Sequence, residues 1–278
     1  MFNARENAVL EAIKAELGAM SIDNRHHFVL VMDTETANTL TDENGRMDMS
    51  SVLVYDCGWS VVDTAGNVYL ERSFVNSDIF THEAYLMETA YYGWKRPRYE
   101  ADLLAGTRIM ADTYTIRQAM LADMLAFGIT EVVAHNARFD LNALNTTLRW
   151  TTRSKFRYWF PFGTIIWDTM KMARDVIHQM PTYRKFCEDN GFLTANGRLS
   201  TTAENLYRFI IKNPEFEESH TGLEDVQIER EIMFYCFRQH KPMRKCLFEN
   251  TTEPAPAPTE IQKQVMALAH MGSTFGMM

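Results

Sequence analysis

The sequence predicts an α/β domain, a central sheet flanked by helices, on three observations. Phe28-Val29-Leu30-Val31-Met32 is an unbroken apolar run, as in a strand buried on both faces. After it, a strand-hairpin-helix order gives way to alternating strand and helix. The 278 residues are 46% hydrophobic and 23% charged, which supplies a sizeable core and excludes a wholly disordered chain. At roughly 150 residues per domain the length allows one or two domains.

The elements follow in order. Residues 5–19 place Val9, Leu10, Ile13 and Leu17 at helical spacing, an amphipathic arm ahead of the main domain. The apolar run from Phe28 is the first strand and ends on Asp33. Strands over 51–62 and 68–75 come next, joined by Asp63-Thr-Ala-Gly-Asn67, which has the residues of a hairpin turn. A helix over 114–127 stops at Gly128, a C-cap residue. Glu131-Val-Val-Ala134 is a strand, 138–150 a helix, Thr164-Ile-Ile-Trp167 a strand and 169–179 a helix. Thr201-Thr-Ala-Glu204 fits a capping box that opens a helix to Ile211. The last long helix, 222–238, carries Ile228, Ile232, Tyr235 and Cys236 on one stripe. The expected organisation is a helical arm (1–24), the main domain (25–245), and a tail (246–278) of stiff Pro254-Ala-Pro-Ala-Pro258 linker and Met-rich end.

No apolar run approaches the ~18 to 20 residues of a membrane-spanning helix, and 1–19 lacks the apolar block of a signal peptide. A cytoplasmic protein without a membrane partner is expected. Cys57, Cys187, Cys236 and Cys246 lie far apart with no zinc spacing, so free thiols are expected. A net charge of −8 argues against coating nucleic acid by bulk electrostatics. It leaves a nuclease open, because a cluster of metal-binding carboxylates is itself acidic.

Three weak signals stand at the ends of predicted core elements. Asp33-Thr34-Glu35 ends the first strand, where residues two apart share a face and both carboxylates reach one point. Read alone, it could be a solvated loop. Asp140, in His135-Asn136-Ala-Arg-Phe139-Asp140, follows a buried strand; it either serves its own helix as an N-terminal anion or points across the sheet edge toward Asp33. His220 precedes Asp225 by five residues at a loop-to-helix junction; it is either a surface histidine or an imidazole placed to take a proton.

In this order the three resemble the motifs of the DEDDh 3′→5′ exonucleases, a family of proofreading subunits, RNase T and oligoribonuclease. Asp33-Thr34-Glu35 is similar to the first motif, Asn136-Ala-Arg-Phe139-Asp140 to the second, and His220-Thr-Gly-Leu-Glu-Asp225 to the third, over roughly residues 28–240. The sister branch uses Tyr-x-x-x-Asp, and no Asp here has a Tyr four positions before it. The resemblance implies an RNase H-like fold with a central mixed sheet. It also implies hydrolysis of phosphodiester bonds at the 3′ end of DNA or RNA, single strand favoured, releasing nucleoside 5′-monophosphates with two Mg²⁺ or Mn²⁺ ions. Hard ions of this kind suit carboxylate oxygens. By resemblance Asp33 would bridge the ions, Glu35 and Asp225 would hold one and Asp140 the other, and His220 would be the general base. Asp168, in Ile166-Trp167-Asp168-Thr169, is expected to cap a helix instead. Thr36-Ala37-Asn38 departs from the Thr-Gly of many members, in a loop that packs beside the terminal base in relatives, so it bears on substrate preference. The acidic stretch 39–50 is expected as a solvated insertion.

Two basic segments remain. Arg149, Arg153, Lys155 and Arg157 interleave with Trp150, Phe156, Tyr158, Trp159 and Phe160, the ingredients of a single-strand track. The alternative is core rings beside a solvated charged face. Arg238, His240, Lys241, Arg244 and Lys245 pose the same choice. A rival to the enzyme is a silent nucleic-acid- or protein-binding module on the same fold, which should have lost a carboxylate or the histidine; none is missing.

Overall fold

The computed structural model describes residues 4–248 apart from 39, 42, 46 and 91. Helix α1 (Ala4–Ala19) precedes three strands, β1 (Phe28–Ala37), β2 (Leu53–Asp63) and β3 (Val68–Asn76). Between β2 and β3 the Asp63 carboxylate accepts from the N–H groups of Ala65, Gly66 and Asn67, each at 2.9 Å, so one side chain fixes the turn. Short 3-10 and π turns lead to α2 (Arg96–Ala105), β4 (Ile109–Ala111) and α3 (Thr113–Ala126). Then come β5 (Glu131–Ala134), α4 (Arg138–Thr152), β6 (Ile165–Asp168), α5 (Thr169–Asp175), α6 (Pro181–Asn190), α7 (Ala203–Ile211) and α8 (Gly222–Arg238).

The six strands lie in the order β4-β3-β2-β1-β5-β6. β1, β2 and β3 pair antiparallel, whereas β5 is parallel to β1 and β6 to β5. β4 is parallel to β3, so the sheet is mixed, with an antiparallel centre of β3, β2 and β1 and parallel neighbours on both sides. Both faces are covered. Leu30, Met32, Trp59 and Phe74 meet Ile13, Ile116, Met120 and Leu144 from α1, α3 and α4. Val29, Val31, Val62 and Val133 meet Met172, Tyr183, Leu206 and Ile232 from α5 to α8. This two-sided burial explains why β1 reads as a continuous apolar run. Residues 245–247 close the β6 edge: the Leu247 N–H donates to the Ile166 carbonyl at 2.7 Å, and the Asp168 N–H donates to that of Lys245 at 2.8 Å.

Several details differ from the sequence expectation. The helix expected over 169–179 stops at Asp175 and continues as a 3-10 turn, Ile177–Gln179. The capping residue of α7 is Thr202, not Thr201; its hydroxyl accepts from the Asn205 N–H, and Glu204 pairs with Arg208 instead of closing a box. Helices α2 and α6 and strand β4 were not expected. β4 has three residues, too few for an alternation to register, and α6 buries only Tyr183 and Cys187. All four cysteines are free thiols. The described residues of 39–50 are exposed except the half-buried Met49. The Pro254–Pro258 linker and Met-rich end lie outside the described residues. Among the described residues no helix is long and apolar enough to cross a membrane.

Candidate active site

Alternation along β1 decides which way its acids face. Val29 and Val31 point to the α8 side, so Asp33 and Glu35 do as well, while Thr34 turns to the α4 side. There the Thr34 hydroxyl donates to Asp140 Oδ1 at 2.7 Å, tying the first turn of α4 to β1. Asn136, just before α4, adopts the left-handed region at φ +58°, which Asn tolerates better than most residues. Its N–H donates to Asp168 Oδ1 at 3.0 Å, and the same oxygen accepts from the Met170 N–H at 2.9 Å. Asp168 thus caps α5 and steadies the turn into α4.

Asp225 arrives from α8 through a close backbone approach. A Cβ on Gly222 would stand 2.8 Å from the Gly58 nitrogen of β2, and a Cβ on Gly58 would fall on the Leu223 backbone. Only glycine at both positions lets α8 start against the sheet. The buried Asp56 locks the contact: its Oδ2 accepts from the Gly222 N–H at 2.8 Å and the Tyr99 hydroxyl at 2.7 Å, and Arg108 reaches its Oδ1 at 3.3 Å. Arg108 also pairs with Glu224 at 2.8 Å.

One pocket at the carboxyl ends of β1 and β5 is lined by Asp33, Glu35, Asp140, Asp225 and His220 together. Carboxylate oxygens of Asp33, Glu35 and Asp225 lie within 4.8 Å of one another, as do ligand atoms of Glu218, His220 and Asp225. Asp140 is in neither cluster and faces the pocket from the Thr34 side. Burial, then the charges of Glu229 and Asp140, pushes the Asp33 carboxyl well above its ordinary range. Burial and Asp56 push Glu35 up to about 8, with Lys95 opposing. Burial raises Asp140 to about 7 against the Thr34 hydrogen bond, and burial with Glu218 and Glu35 raises Asp225 to about 9. Buried like charges of this kind favour protonation unless cations neutralise them.

The donor set fits a hard divalent cation. It is oxygen-rich and free of sulfur, and the buried Asp225 Oδ1 and Glu229 Oε2 have no hydrogen-bond partner. His220 adopts φ +49°, a strained conformation for a histidine. Its ring stacks on Tyr92, centroids 4.2 Å apart and 12° from parallel, and its Nδ1 stands 3.6 Å from Glu218. The buried Lys95 donates from Nζ to the Ser219 carbonyl and, at 3.2 Å, to that of His220. Burial and the Lys95 charge lower the His220 pKa. His135 has both ring nitrogens engaged, by the Thr169 hydroxyl at 2.8 Å and the Thr201 carbonyl at 2.7 Å. It joins β5, α5 and the approach to α7.

A solved structure of a 3′-exonuclease in 3′-end-specific recognition of a histone mRNA stem-loop is 11% identical. The match covers 91% of this chain and 81% of that one, with a TM-score of 0.50. The fold is that of a 3′-exonuclease. A full-length 3′-exonuclease is more loosely similar, at 10% identity, 84% and 94% coverage and a TM-score of 0.49. So is the nuclease domain of 3′hExo, a DEDDh family member bound to rAMP, at 10%, 80% and 98%, and 0.44. No family model matches the sequence, and no curated protein does.

Three residues that line the pocket, Tyr92, Glu218 and Glu229, and Lys95, which holds the His220 backbone, were not singled out from the sequence. Lys95 reaches carbonyls some 125 positions away, which no local pattern announces. Glu229 did carry a signal, being one helical turn beyond Asp225. The aromatic and basic segment divides. Trp159 and Phe160 are core, whereas Phe156 and Phe162 are 89% and 82% exposed, with Trp150 and Tyr158 also at the surface. In the second basic segment, Arg244 pairs with Asp175 at 2.8 Å, and Lys245 lies over the Trp167 ring at 4.3 Å.

Proposed function

We propose that this chain is a divalent-metal-dependent 3′→5′ exonuclease that removes nucleoside 5′-monophosphates from the 3′ end of DNA or RNA, with single strands favoured. The observation that carries this reading is the convergence, from β1 and α8, of Asp33, Glu35 and Asp225 oxygens within 4.8 Å, beside His220. Two Mg²⁺ or Mn²⁺ ions, when bound, would stabilise the attacking and leaving oxygens of the scissile phosphodiester.

The chain's own residues then divide the work. Asp33, on which the charges of both Asp140 and Asp225 act, would contact both ions. Glu35 and Asp225 would hold one ion with it, and Asp140 the other. His220 would take a proton from the attacking water; its lowered pKa keeps it neutral near pH 7, as a general base requires. Tyr92 stacked on the ring, and Lys95 on the backbone carbonyls, fix where that base stands. Phe139 and Met170 line the same pocket and offer apolar contact to a terminal nucleotide.

The rival, a silent binding module, gives no reason to bury several like charges beside unpartnered oxygens, since such burial destabilises a scaffold.

The test is digestion of end-labelled single strands. With Mg²⁺ or Mn²⁺ the label should shorten stepwise from the 3′ end; EDTA or a blocked 3′ terminus should stop it. Full activity in EDTA, or nicking of a circular strand, refutes the reading.

A further inference from the structure

Glu229 belongs to none of the motifs, yet it stands in the same pocket. It follows Asp225 by four residues on α8, so the turn that carries Asp225 to the site carries Glu229 too. Its side chain is 3% exposed and lines the pocket. The His135 N–H donates to the carboxylate, but Oε2 has no partner. The charges that act on it most are Asp140, Asp225 and Glu218, all of its own sign. In return, Glu229 is the foremost charge acting on Asp33.

A carboxyl kept only for packing would be replaced at lower cost by an apolar side chain of similar volume. If protonated, it would still need an acceptor for its O–H, and Oε2 has none. Asp33, Glu35 and Asp225 form one cluster that includes neither Asp140 nor Glu229, and Asp140 Oδ1 is already engaged by the Thr34 hydroxyl. An ion held by Asp33 and Asp140 alone would have few protein oxygens, and Glu229 lines the same pocket with a buried oxygen that has no partner.

We propose that Glu229 is a fifth carboxylate of the metal centre, presenting Oε2 to a hard divalent cation on the Asp140 side of Asp33, directly or through one water. This rests on the exonuclease reading of the same pocket. It adds a ligand from α8, so that α8 serves both ions: Asp225 on one side and Glu229 on the other.

The experiment is calorimetric titration of the metal-free full chain with Mn²⁺, with thermal melts in EDTA, for wild type, Glu229→Gln, Asp140→Asn and Asp33→Asn. Gln keeps the shape and an acceptor for the His135 N–H. Wild type should bind two ions and Asp33→Asn should lose both. Glu229→Gln should weaken one ion by about 10- to 100-fold, the same one that Asp140→Asn weakens, and leave the other unchanged. In EDTA, Glu229→Gln should melt no lower than wild type, since it removes a buried like charge. Two ions bound as in wild type by Glu229→Gln would overturn the proposal. So would equal loss of both ions with a lowered melt, which marks a packing role. Failure of wild type to bind Mn²⁺ would instead sink the exonuclease reading itself. Should Glu229→Gln not fold, the same titration on Glu229→Asp decides: selective weakening of one ion supports the role, wild-type binding refutes it.

Discussion

Replacing Asp140 by Asn tests whether the carboxylates oppose folding until cations arrive. Burial raises Asp140 from an ordinary 3.8 to about 7, so its proton is held more tightly in the folded chain than in the unfolded one. Such a group contributes its stability at low pH and loses it as pH climbs from the unfolded value through the folded one. At about 1.36 kcal/mol per pH unit, ionised Asp140 costs the metal-free fold about 4 kcal/mol at pH 8, of which about 2.5 kcal/mol accrues between pH 5 and pH 8. Asn has no such proton, and its side-chain oxygen can still accept from Thr34. Urea melts in EDTA at pH 5, 6, 7 and 8 should therefore show wild-type stability falling with pH. Asp140→Asn should fall less, by about 2 kcal/mol over that range, and should be the more stable protein at pH 8. Groups elsewhere, such as Asp175 held below its ordinary range by Arg244, titrate alike in both and cancel. Parallel curves for the two proteins would refute the reasoning, because the Asp140 charge would then be solvated or already neutralised.

Two further substitutions separate chemistry from scaffold. His220→Ala should keep Mn²⁺ affinity near wild type and lower turnover by about 10²–10⁴-fold, and the loss of wild-type rate below the His220 pKa should be blunted in the variant. Unchanged turnover from pH 6 to pH 9 would make the histidine a bystander. Gly222→Ala would place a methyl 2.8 Å from the Gly58 nitrogen. It should cost about 1–3 kcal/mol in denaturant melts and weaken Mn²⁺ binding by moving Asp225; a variant that melts and binds as wild type would show that α8 does not need this contact.

The sequence by itself determined the core strands, the order of strand and helix, and the pairing of Asp33 with Glu35. These are local matters: a doubly buried strand is a continuous apolar run, and a two-residue period fixes a shared face. It also marked Asp168 as a cap, because capping acts over two or three residues. The tertiary structure decided the rest. Whether Asp140 served its own helix or faced the pocket depended on Thr34, 106 positions away, and the hydroxyl of that residue points to it because its neighbours on β1 point elsewhere. Gly58 and Gly222 gave no sign of their purpose, since a close approach between two backbones leaves only two small residues far apart in the chain. Lys95 and Glu218 were silent for the same reason. A charge becomes informative once burial removes water from around it, and burial is a property of the packed chain, not of any segment.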